Sequence, residues 1–267
     1  MPVANYPASR METTMKKTHR FLGAMTAIMI AASTNAQSAP LPAAPVTIVL
    51  VHGALIDGSS WRGVCEVLIK DGYRVSVVQP PLTGLDEDVA ATKRVLDQQD
   101  GPVILVGHSY GGSIITVAGS DPKVKALVYV AALQPDVGET SAEVAPPKKQ
   151  ESNELRSSKD GFIFLDPARF ADVGADLPKA AAEFMAHSQM PILGAAFNTK
   201  LTVAAWRDKP SYVIIASEDR VLDEAIARRM ADRAGSKVTI LKGSHFIHIS
   251  HPRAVAQVIE TAARAIK

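Results

Sequence analysis

The 267-residue chain has a single cysteine, Cys65. An intrachain disulfide and a cysteine-based zinc cluster are therefore excluded. An excess of one charge is also missing: 29 Lys and Arg face 27 Asp and Glu, a net +2. No Lys/Arg-rich run with interleaved aromatics occurs, so nucleic acid is not expected as a partner. Gly and Pro stand at 17 each without a triplet pattern, which excludes collagen-like and low-complexity classes. No internal repeat is visible, and no apolar run reaches the roughly 20 residues that a resident membrane helix needs. What is present, 47% apolar and 21% charged residues, suffices for a large buried core.

Residues 1–36 differ from the rest. Met15-Lys16-Lys17-Thr18-His19-Arg20 is basic, Phe21–Ala32 is almost wholly apolar, and Thr34-Asn35-Ala36 supplies small residues. That order predicts a secretory signal peptide, a periplasmic or secreted protein, and no stable membrane anchor once the signal is removed. The segment carries Arg10, Lys16, Lys17 and Arg20 against Glu12, a net +3, which leaves the remainder at −1 instead of +2. The mild basicity thus belongs to the export signal. Cys65 has helical spacing with Trp61, Leu68 and Ile69 and reads as a buried structural thiol.

Pro40, Pro42 and Pro45 mark a linker over 37–45. Beyond it, apolar, β-rich runs recur at Val46–Val51, Arg74–Gln79, Val103–Val106, Ala126–Val130, Tyr212–Ala216 and Val238–Leu241. Such runs suit strands buried on both faces of a parallel sheet. Helical patterns lie between them at Leu85–Gln99, Leu222–Ala234 and Pro252–Ile266. The alternation predicts an α/β fold with a mostly parallel six-stranded sheet flanked by helices. Its core covers 46–133 and 207–267. Residues 134–206 are too long for a plain crossover and predict a cap or lid insertion, helical in its later part. Much of the aromatic content, including Phe162, Phe164, Phe170, Phe184, Phe197 and Trp206, lies there. It is expected to serve both a small satellite core and the inner lining of an apolar pocket.

Chemistry concentrates at Val103-Ile104-Leu105-Val106-Gly107-His108-Ser109-Tyr110-Gly111-Gly112. Gly107-His108-Ser109-Tyr110-Gly111 fits G-x-S-x-G, following an apolar strand and opening an apolar helix. A sharp turn of this kind exposes the Ser109 hydroxyl at the strand's C-terminal end. Together with Val49-Leu50-Val51-His52-Gly53-Ala54, Ser217-Glu218-Asp219-Arg220-Val221 and Gly243-Ser244-His245, the chain resembles the α/β-hydrolase superfamily. The resemblance spans about 46–266. Within the superfamily it is closest to small serine esterases related to plant methylesterases and hydroxynitrile lyases, whose first loop is similar to His52-Gly53-Ala54 followed by Trp61.

A serine hydroxyl needs a base. His245, His248 and His251 all follow the last strand. His251-Pro252 reads as a helix start and His248 as a packing residue, and the family pattern of Gly-Ser-His puts the base at His245. Metal binding by the three is not expected, because positions 245 and 248 share a helix face that 251 leaves and no H-E-x-x-H accompanies them. Asp219 follows the fifth strand and is expected to orient the imidazole, in the order Ser…Asp…His. Asp136, after the fourth strand, is its rival; Glu218 is a neighbour, and Asp223 suits a helix N-cap. The residue after the nucleophile, Tyr110, supplies one oxyanion-hole N–H, and the resemblance implies Ala54 for the other. Leu55, Phe184, Trp206 and Phe246 are expected to bind substrate.

These residues predict a serine hydrolase acting on a small, largely apolar carboxylic ester, with no metal or organic cofactor. A cofactor-free lyase, a perhydrolase or haloperoxidase, and a non-catalytic ligand-binding protein are the competing readings. Against cyanohydrin cleavage, Phe246 and Gly53 stand where the resembling lyases carry lysine and threonine. Dehalogenase and epoxide hydrolase chemistry would need aspartate at 109.

Overall fold

The computed structural model describes residues 45–146 and 155–266. The expected signal peptide, all but Pro45 of the expected linker and Pro147-Lys148-Lys149 lie outside the described residues. The central sheet consists of β1 (Thr47–Val51), β2 (Arg74–Val78), β3 (Val103–His108), β4 (Val124–Val130), β8 (Ser211–Ala216) and β9 (Lys237–Leu241), in the order β2-β1-β3-β4-β8-β9. Every pairing is parallel. Because every strand runs the same way, the C-terminal ends of β3, β8 and β9 open on one rim, and the order turns outward in both directions from β1 and β3. Ligands of open parallel sheets bind at that rim.

Side-chain alternation sorts each central strand between two cores. Ile48, Leu50, Ile104, Val106, Val128 and Ile214 pack beneath α1 (Arg62–Lys70) and α9 (Pro252–Ala265). Val49, Val51, Leu105, Leu127, Val213 and Ile215 pack beneath α2 (Leu85–Asp97), α3 (Gly111–Ala118) and α7 (Glu224–Arg233). With both faces covered, β1, β3 and β8 are buried throughout, whereas the edge strand β9 leaves Val238 and Ile240 exposed. Local signals mark the helix ends. Asp223 caps α7 by accepting from the Ala225 N–H at 2.9 Å. Pro252 opens α9 at a position whose N–H would have no intrahelical partner.

The described residues of 134–206 are helical only in part. After the short α4 (Ser141–Val144), a three-stranded antiparallel ribbon forms from β5 (Leu155–Ser157), β6 (Phe162–Leu165) and β7 (Ile192–Leu193). Two helices, α5 (Pro167–Val173) and α6 (Lys179–His187), lie between β6 and β7. Phe162 and Phe164 therefore belong to a strand. Leu165, Phe170 and Ala186 join Ile56 and Phe246 in a third small core that ties the insertion to the rim.

Candidate active site

Ser109 sits between β3 and α3 with φ 51°, a left-handed conformation that few non-glycine residues adopt. The surroundings hold it there: Ser109 N–H donates to the Val130 carbonyl at 3.3 Å, and Leu133 N–H donates to the Ser109 carbonyl at 3.1 Å. The flanking glycines have a steric cause. A Cβ on Gly107 would lie 2.5 Å from the Gly111 carbonyl oxygen, and one on Gly111 would lie 2.7 Å from that of His52.

The loop between β9 and the short α8 (Ile247–Ser250) carries His245, which is buried at 4% exposure. Its Nε2 lies 2.9 Å from Ser109 Oγ and its Nδ1 2.7 Å from Asp219 Oδ2. A carboxylate accepts and does not donate, so Nδ1 carries the proton and Nε2 offers its lone pair to the serine hydroxyl. The other carboxylate oxygen of Asp219 accepts from the Val221 and Leu222 N–H groups at 2.8 and 2.9 Å, which fixes which oxygen faces the ring. Three side chains 26 and 136 residues apart in pairs thus form one hydrogen-bonded line. The competing carboxylates are engaged elsewhere. Asp136 takes a two-pronged contact from Arg207 at 2.7 and 2.6 Å, and Glu218 pairs with Lys242 at 3.6 Å.

The other imidazoles are packing groups. His108 Nε2 donates to the His245 carbonyl at 2.9 Å, and its ring lies 4.2 Å from that of His248. His248 is fully buried against Trp61. Burial, reinforced by neighbouring imidazoles, depresses His108 well below the usual histidine range and His248 to about 3. Burial also lowers His52, against a hydrogen bond to the Gly53 carbonyl. Lowered in this way, the three rings favour their neutral form and set no cation beside the His245 ring. His251 is the N-cap residue of α9, beside Ser250.

A cavity of about 690 Å³ opens at this rim. Ser109, His245, Ala54, Leu55 and Phe246 line it, with Leu133, Ile163, Leu165, Phe170, Ile192 and Phe197 as an apolar wall. Leu55, Ser109 and Ala131 are three of the four non-glycine residues at positive φ among the described residues, and all three line the cavity. Backbone strain therefore gathers at the site, as it does where function demands a set geometry. Tyr110 is the N-cap residue of α3 and its N–H has no intrahelical acceptor.

Two expected lining residues lie elsewhere. Phe184 is 68% exposed. Helix α6 buries Ala182 and Ala186, one turn apart, and a residue midway between them turns outward. Trp206 is buried in the sheet core instead, where its Nε1 donates to the Pro135 carbonyl at 2.9 Å and the guanidinium groups of Arg207 and Arg233 lie 5.3 and 5.6 Å from its ring. Sequence reasoning missed Asp176. Its carboxylate accepts from the Ser244 N–H at 3.0 Å, from the Ser244 hydroxyl and from the Ser250 hydroxyl at 2.7 Å, and so braces the residue before His245. Burial opposes its ionisation, but these bonds outweigh it and hold the carboxyl below the usual range. No motif announces a residue that acts across 68 positions.

A parallel sheet with serine, imidazole and carboxylate meeting at its C-terminal rim defines a class of hydrolases. The chain belongs to the alpha/beta hydrolase family, whose model matches residues 48–258. It is similar to the pyrethroid hydrolase of Sphingobium wenxiniae, 27% identical over 252 residues that cover 82% of this chain and 88% of that one. Methylesterase 3 of Arabidopsis thaliana is 30% identical over 105 residues, 33% of this chain and 40% of that one. Among solved structures, the pyrethroid hydrolase PytH with BIF superposes with a TM-score of 0.71 at 26% identity, covering 83% of this chain and 98% of that one.

Proposed function

We propose that this hydrolase is an exported serine esterase that cleaves largely apolar carboxylic esters through an acyl-enzyme on Ser109. The observation that carries the reading is the 2.9 Å approach of His245 Nε2 to Ser109 Oγ, with Asp219 on the far side of the ring. Ser109 Oγ attacks the ester carbonyl carbon while His245 Nε2 takes its proton. The carbonyl oxygen becomes an oxyanion and receives the N–H groups of Tyr110 and Ala54, each worth about 3–4 kcal/mol in the transition state. The intermediate collapses, the ester C–O bond breaks, and His245 returns the proton to the departing alcohol. Water then attacks the acyl carbon, gives its proton to His245, and the acid leaves as that proton returns to Ser109 Oγ.

The cavity supports an apolar substrate. At about 690 Å³ with aliphatic and aromatic walls, it lies within the range of drug-sized ligand sites. Charge is confined to groups such as Arg220 and Asp172, 3.8 Å apart and half exposed. Relatives named pyrethroid hydrolase and carbendazim hydrolyzing esterase agree with this chemistry. In this reading residues 134–206 act as the cap over the acyl and alcohol arms.

A graded series of p-nitrophenyl esters tests the proposal. Hydrolysis by the native chain, with a loss of several orders of magnitude in a folded Ser109→Ala variant, is expected. Activity that persists in Ser109→Ala refutes the mechanism. Mass determination of the N-terminus after expression with its leader tests export, with cleavage after Ala36 as the expected result.

A further inference from the structure

We infer that Asp88 is a positioning residue for the reaction, joined through the Tyr110 hydroxyl to the turn that carries the nucleophile. The inference rests on the proposed serine mechanism. Asp88 lies in the first turn of α2 and is 0% exposed. A carboxylate so buried is costly unless hydrogen-bonded. One oxygen accepts from the Leu82 N–H at 2.6 Å, and the other accepts from the Tyr110 hydroxyl at 3.0 Å. An ordinary helix-capping carboxylate serves the N–H groups of its own helix. This one serves two other segments.

Both segments lead to the cavity. Tyr110 follows Ser109, and its N–H is one of the two proposed oxyanion donors. Its ring packs against Phe197 with centroids 5.2 Å apart, and Phe197 lines the cavity. Leu82 is held at φ 58°, and its carbonyl accepts from the Leu193 N–H of β7 at 2.8 Å. Leu193 is flanked by Ile192 and Gly194, both lining residues. A single carboxylate therefore sets the nucleophile turn and the docking point of the insertion relative to each other. Burial pushes the Asp88 carboxyl up to about 6, against the two hydrogen bonds that favour its charged form.

The test compares Tyr110→Phe, Asp88→Leu and Asp88→Asn, assayed with a p-nitrophenyl ester well below each variant's melting temperature. Loss of the link displaces the oxyanion donor by a fraction of an ångström, so Tyr110→Phe and Asp88→Leu are expected to lower kcat about tenfold with KM unchanged. Asp88→Asn keeps a hydrogen bond between the two side chains in the reverse sense: its amide oxygen accepts from the Leu82 N–H and its amide nitrogen donates to the Tyr110 hydroxyl oxygen. Its kcat is expected to return to within about threefold of the native value. A merely structural role would follow melting temperature and would not separate kcat from KM. Tyr110→Phe changes one buried oxygen and keeps the test open where Asp88→Leu does not fold. Native kcat in Tyr110→Phe, or Asp88→Asn as impaired as Asp88→Leu, overturns the inference. Ser109→Ala is run in parallel: its activity reports on the serine mechanism and is independent of the Asp88 variants.

Discussion

Replacing Asp219 by asparagine alters one atom and, by the geometry, reverses the direction of a hydrogen bond. In the native chain one carboxylate oxygen accepts from the Val221 and Leu222 N–H groups while the other faces His245 Nδ1 at 2.7 Å. Asparagine has a single acceptor oxygen. Two backbone donors claim it, so the amide NH₂ is left facing Nδ1. The ring must then present a lone pair at Nδ1 and carry its proton on Nε2. At 2.9 Å from Ser109 Oγ, that proton takes the place of the lone pair that would receive the serine proton. The wrong tautomer of a triad histidine costs about 10⁴ in kcat, or about 5 kcal/mol of transition-state stabilisation. Steady-state hydrolysis of a p-nitrophenyl ester near neutral pH measures it, with circular dichroism to verify the fold. A variant that retains more than about a tenth of native kcat would refute the tautomer argument and the assignment of Asp219.

Three further outcomes are expected. Gly53→Ala would bring a Cβ to 2.7 Å from Ser109 Cβ and 3.0 Å from His108 Nδ1, so kcat should fall about 100-fold through displacement of the nucleophile, read in the same ester assay. Phe246→Ala, at a residue 3% exposed and stacked 5.5 Å from Phe170, should lose about 3–5 kcal/mol in urea unfolding, whereas Phe184→Ala should stay within about 0.5 kcal/mol. Asp88 is an acid whose folded pKa is raised from 3.8 to about 6, so the folded chain binds its proton more tightly and loses stability as pH rises from about 4 to about 6. That loss is roughly 2–3 kcal/mol. Asp88→Asn does not titrate, so its stability relative to native should rise across that interval in urea melts at the two pH values.

The inner strands were legible because burial on both faces writes them as near-continuous apolar runs, the half-exposed edge strands β2 and β9 because they are rich in β-branched residues, and all six expected runs match strands of the central sheet. The turn at Ser109 was legible because its glycines answer a local steric demand. The antiparallel ribbon of the insertion was not: β5, β6 and β7 hold three, four and two residues, too few for a period to register. Aromatic content pointed to a pocket but could not say which rings face it. Phe184 and Trp206 were decided by the partners of α6 and by Arg207 and Arg233. Asp136 is taken up by Arg207, 71 residues further on, a pairing that no local pattern announces. Asp88 and Asp176 escaped notice because each serves backbone distant in the chain.

The left-handed backbone at residue 109 also bears on which reactive groups this scaffold can carry. At φ 51°, aspartate and asparagine endure the conformation more easily than most side chains, while β-branched residues resist it. Threonine is the nearest chemical relative of serine, yet the main chain itself disfavours it there. A carboxylate at the same spot meets less resistance from the main chain, so the corner is permissive toward an exchange of hydroxyl for carboxylate and restrictive toward a mere methyl group.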